Sequence, residues 1–71
     1  MEMKITITSK KTISEIYDIL SMSLGFGLSL ESIDSITLTE KGVILLDKRN
    51  NWLGNFAYGK HLTEYFEKKL N

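Results

Sequence analysis

Two periodicities divide this chain, and the order in which they alternate limits it to a small set of folds. "MKITIT" alternates Met3, Ile5 and Ile7 with Lys4, Thr6 and Thr8, the period-two pattern of a half-buried strand. The period then changes. Ile13, Ile16, Tyr17, Leu20 and Leu24 recur at helical spacing, with Glu15, Asp18 and Ser21 on the other side. "TISE" reads as a capping box, with Thr12 as N-cap and Glu15 reaching back to it. Gly25 stands where a helix would end in a left-handed residue.

After the connector "GFGLSLESID", strand-like segments follow three times, in "SITLTE", "VILLDK" and "WLGNFAYG". "EKG" and "NN" separate them as tight hairpin turns, because Gly42 and the two asparagines accept positive φ. "KHLTEYFEKKL" closes the chain with Leu62, Tyr65, Phe66 and Leu70 on one helical face. The order β-α-β-β-β-α predicts a single small α+β domain over residues 1–71. Its two helices are expected to pack on one face of a mainly antiparallel sheet.

Composition narrows the function classes. Nine basic and nine acidic residues give a formal net charge of zero, which removes the electrostatic footprint of a general nucleic-acid or anionic-membrane binder. Arg49 is the sole arginine, so bidentate reading of guanine is disfavoured. The chain has no Cys. Disulfides, thiolate chemistry and cysteine zinc sites drop out, and a reducing cytoplasmic setting is expected. The alternating N-terminus does not read as a signal peptide, and no apolar run approaches the roughly 20 residues that span a bilayer. The abundance of Lys, Ile and Asn fits AT-rich coding, hence a low-GC bacterium or its phage.

Hairpin register decides where the aromatic residues go. A three-residue loop at Glu40, Lys41 and Gly42 would pair Leu38 with Ile44 and Ile36 with Leu46, making one apolar face. A two-residue loop at Asn50 and Asn51 would then set Trp52, Phe56 and Tyr58 on the opposite face, beside Thr37, Thr39, Val43 and Leu45. A three-residue loop there would flip the last strand and bury all three rings. A bulge at Gly54 would split them, sending Trp52 one way and Phe56 with Tyr58 the other. Three such rings bury on the order of 500 Å². At about 25 cal/mol per Å², that is on the order of 10 kcal/mol as an upper bound, comparable with a domain's whole stability. The rings therefore belong either to the core or to an interface.

Catalytic signatures are lacking. His61 is the single histidine, with no hydroxyl and carboxylate marked out to complete a triad. Glu31 and Asp34 offer too few oxygens for a hard-cation loop. Gly25-Phe26-Gly27 lacks the spacing and the lysine of a phosphate loop. No enzyme activity, catalytic residue, metal ligand or cofactor is expected. Lys60 and His61 are cations at a helix N-terminus, where they oppose the dipole, and a bound phosphate would account for them. Lys60 turning toward Glu64 and water would account for them as well.

A helix, three antiparallel strands and a last helix opening on Lys60 and His61 resemble, across residues 12–70, the element order of double-stranded RNA-binding domains. That resemblance implies phosphate contact at the start of the last helix. The leading strand, the neutral charge and the sequence Leu62-Thr63-Glu64 after His61 depart from the family.

Two functions are thus expected. The first is a small non-enzymatic protein-binding or self-associating module, adaptor- or inhibitor-like, that uses Trp52, Phe56, Tyr58 and Arg49 on a protein partner or in a homodimer. The second is a nucleic-acid binder in which bases stack on the aromatics and Lys60 and His61 hold phosphate.

Overall fold

The computed structural model describes residues 4–22 and 27–70. The elements are β1 (Lys4–Ile7), α1 (Lys10–Leu20), a 3-10 turn (Leu30–Ser32), β2 (Ser35–Thr39), β3 (Val43–Leu46), β4 (Trp52–Phe56) and α2 (Gly59–Leu70). The expected α+β order holds. The four strands form one sheet in the order β1-β2-β3-β4, and every neighbouring pair is antiparallel. Ile13, Ile16 and Leu20 of α1 and Leu62 of α2 meet Ile36, Leu38, Val43 and Leu45 of the sheet in one buried cluster. Both helices therefore cover the same face, and no described helix lies on the other.

Local chemistry explains the elements, with one correction at the start of α1. Its N-cap is Ser9, whose hydroxyl accepts from the Thr12 amide at 3.4 Å; Thr12 itself lies within the helix. Ser caps as well as Thr, and starting three residues earlier adds nearly a turn and frees Glu15 from capping. α1 ends at Leu20, where the Ser21 amide bonds back to Tyr17. Tyr17 anchors the following connector through its hydroxyl, which donates to the Leu28 carbonyl at 2.8 Å. Met3, Leu24, Gly25, Phe26 and the side chain of Leu70 lie outside the described residues.

The first hairpin also corrects the sequence reading. The Thr39 amide donates to the Gly42 carbonyl at 2.9 Å, so the loop holds two residues, Glu40 and Lys41. The Thr39 hydroxyl fixes this turn by accepting from the amides of Lys41 and Gly42, both at 3.2 Å. Shortening the loop by one residue shifts the register by one. Leu38 pairs with Val43 and Ile36 with Leu45, where Ile44 and Leu46 were expected. A shift of one turns every side chain of β3 over. Val43 and Leu45 enter the core, while Ile44 and Leu46 face the helix-free side.

At the second hairpin the loop is Lys48, Arg49 and Asn50, one residue longer than the two-residue Asn-Asn turn. The Asp47 amide donates to the Asn51 carbonyl at 3.1 Å, and the Asn50 amide to the Asp47 carbonyl at 2.9 Å. Asn50 takes the left-handed conformation, φ 67°, that a three-residue loop demands at its last position. Asp47 organises the turn by accepting from the amides of Asn51 and Arg49 at 2.8 and 2.9 Å. These amides, that of Asn51 foremost, hold its carboxyl below the usual range. β4 then carries a bulge: Leu46 pairs with Trp52, but Leu45 pairs with Gly54. The extra residue, Leu53, reverses the parity of the strand.

Candidate interaction surface

The bulge separates the aromatics that the sequence groups together. Trp52, opposite Leu46, lies on the helix-free face and is 65% exposed. Phe56, opposite Val43, lies on the helix-bearing face and packs against the core. Gly54 makes room for it, since a Cβ there would stand 2.9 Å from the Phe56 ring. Tyr58 also packs against the core. Its hydroxyl donates to the Thr39 carbonyl, and its ring meets Phe66 edge-on at 6.0 Å. Burial raises its pKa. Arg49 is exposed in the loop leading into Trp52. The three rings and Arg49 therefore do not form one surface: Trp52 alone among the rings is presented to solvent.

The helix-free face is a shallow trough of about 470 Å³. Ser35 and Thr37 of the central strand β2 are buried and form its floor. Ile44, Leu46 and Trp52 stand along one side, and Lys4 and Thr6 along the other. Small hydroxyl side chains beneath bulky apolar ones leave room for an incoming group and offer it hydrogen bonds.

Lys60 and His61 are exposed at the start of α2, beside Met22 and Ile19. α2 belongs to the face opposite Trp52. The proposed base-stacking residue and the proposed phosphate contacts are thus on different sides of the sheet.

A second concavity lies on the helix-bearing side, between β1 and α2. It has a volume of about 460 Å³ and is lined chiefly by Ile5, Ile7, Leu38, Tyr58, Tyr65 and Phe66. Ile5 remains 49% exposed at its lip. At its end the Tyr65 hydroxyl donates to Glu15 at 2.6 Å, and Lys69 approaches the same carboxylate at 3.4 Å. This contact ties α1 to α2, and a capping-box reading of Glu15 hides it. The Tyr65 hydroxyl, then Lys69, lower the Glu15 pKa against a partial desolvation that raises it. Burial, reinforced by the Glu15 carboxylate, pushes Tyr65 up to about 12.

The contact predicts a stability profile with two limbs. Glu15 has a depressed folded pKa, so its contribution is full above the ordinary carboxylate range and is lost as pH falls through that range. Tyr65 has a raised one, so its contribution is full below pH 10.0 and is lost as pH climbs to about 12. Urea midpoints measured across pH should fall at both ends. Tyr65→Phe should remove the Tyr65 share of the alkaline limb and leave that of Tyr58, and an unchanged limb would show that folding does not raise the Tyr65 pKa.

Among the described residues no three His, Cys, Asp or Glu side chains gather as a metal site. No described helix is long and apolar enough to cross a membrane. Comparison with protein-family models, with curated proteins and with solved structures yields no match for this chain.

Proposed function

We propose that this chain is a small non-enzymatic protein-binding module, working in the cytoplasm, whose helix-free sheet face seats a partner protein around Trp52. The observation that carries the reading is the 65% exposure of Trp52 on a sheet face that also offers Ile44 and Leu46. Covering the 65% of that side chain left exposed would release about 2–4 kcal/mol, taking roughly 150–250 Å² for a whole aromatic side chain at about 25 cal/mol per Å². Tryptophan is also among the residues that dominate measured interface energies. The polar floor and the flanking Lys4, Asn50 and Thr6 supply the hydrogen-bonding surroundings of such an anchor.

Trp52 is the sole tryptophan, so its fluorescence reports this face alone. In the free protein it should emit as a water-exposed indole and be quenched readily by iodide. A bound partner should shift emission to the blue and shield it. Trp52→Ala should keep the unfolding free energy from urea titration within about 0.5 kcal/mol of wild type, the usual range for surface positions, and lose the partner. Unfolding of Trp52→Ala, or equal partner capture by both proteins, would remove the basis of the reading. A steep fall in affinity with added salt would instead point to phosphate contacts and nucleic acid.

A further inference from the structure

We infer that β1 is a self-pairing edge: two copies of this chain join their β1 strands antiparallel about a two-fold axis, extending the sheet from four strands to eight. The inference does not need Trp52: it rests on the backbone of the β1 edge and on the groove of the helix-bearing side, although the Lys4 and Thr6 side chains also border the Trp52 trough.

Three features lead to it. The first is a ladder that the described strands leave open. Thr39 directs its amide to Gly42 across the first hairpin, so Thr39 and, two residues away, Thr37 turn their backbone groups toward β3. Alternation then turns those of Leu38 and Ile36 toward β1, where they pair with Ile5 and Ile7. Lys4 and Thr6 therefore point their N–H and C=O groups outward from the sheet. The far edge is less suitable, since β4 is interrupted by its bulge, a device that blunts strand edges.

The second feature is the apolar groove beside that edge. Ile5 lies on the helix-bearing side yet is half exposed, because α2 stops short of covering β1. An added strand would set its own inward side chains over Ile5, Ile7 and the Phe66 side of the groove.

The third feature identifies the occupant as a second copy. With Thr6 opposite Thr6 of the other copy, Ile5 falls opposite Ile7 and Lys4 opposite Thr8, so apolar residues meet apolar ones and no like charges are opposed. The groove rim carries one acid, Glu67, and one base, Lys69, whose ammonium already approaches Glu15 of the same chain, so the rim is mixed in charge and does not repel its own two-fold copy. Zero net charge means that two copies approach without mean repulsion.

Sedimentation equilibrium of the full chain from about 1 μM to about 1 mM tests this, a span that covers weak to moderate association. Wild type should show a monomer–dimer equilibrium. Ile5→Lys puts a charge at the seam, and Thr6→Pro removes an outward N–H at a position where an edge strand accepts proline. Each should weaken dimerisation at least about tenfold, with the far-ultraviolet circular dichroism unchanged, whereas Trp52→Ala should leave it intact. Should either edge variant fail to fold, amide exchange in wild type decides: the Lys4 and Thr6 amides should become protected as concentration rises. A strictly monomeric wild type, concentration-independent exchange at those amides, or a dimer lost in Trp52→Ala but kept in both edge variants would overturn the inference.

Discussion

Leu45→Ala is expected to lower the unfolding free energy by about 2–5 kcal/mol, read as a fall in the urea midpoint. Leu45 is fully buried in the centre of the sheet, opposite Ile36, and packs in the cluster that α1 and α2 close. Truncation there loses the transfer energy of the removed carbons and leaves a cavity that a small core can fill only in part. Domains of this size bury a modest share of their surface, so the loss is a large part of a total of roughly 5–15 kcal/mol. Leu46→Ala provides the control. Leu46 is half-buried on the helix-free face, and its truncation should cost clearly less. The pair also reports the register, because the alternative hairpin would reverse the order of the two costs. Equal losses, or a greater loss at Leu46, would refute the observed pairing.

Gly42→Ala is the second large effect, expected at about 1–3 kcal/mol, the range for forced overpacking. A Cβ on Gly42 would stand 2.3 Å from the Phe56 carbonyl oxygen and 3.0 Å from its carbonyl carbon. Both atoms are backbone, so no side-chain rotation relieves the contact, and the end of β4 would have to move away from the first hairpin. Phe56 and Tyr58 would be displaced with it, since one pairs with Val43 and the other bonds Thr39. Differential scanning calorimetry should show a lower Tm, and near-ultraviolet circular dichroism a weaker tyrosine signal. A variant with the wild-type Tm would mean that the hairpin and β4 do not approach so closely.

Much of this fold is legible in the residues taken in order. The alternation of Ile5 and Ile7 with Lys4 and Thr6, and the helical spacing of Ile13, Ile16 and Leu20, give the elements and their sequence. Those patterns reflect which side of an element faces apolar neighbours, and a short segment carries that information itself. Less legible are the points where two local solutions differ little in energy. Ser9 and Thr12 are both competent caps, and selecting Ser9 releases Glu15 for the distant Tyr65 and Lys69. The first hairpin could close over two residues or three, and the Thr39 hydroxyl settles it by capturing the Lys41 and Gly42 amides.

The candidate surface is divided in the same way. Trp52, Phe56 and Tyr58 share one parity in the sequence, which marks them as residues that must bury or bind. One extra residue in β4 sends Trp52 outward and keeps the other two with the helices. By itself, then, the sequence determined the β-α-β-β-β-α order, the antiparallel sheet with helices on one side, and the aromatic residues whose placement matters. Tertiary structure alone decided which face each strand turns to the core and which ring remains in solvent. The physical reason is that side-chain direction in a strand reverses with every residue, so a single bulge or a loop one residue shorter, selected by packing across the sheet, outweighs any local preference.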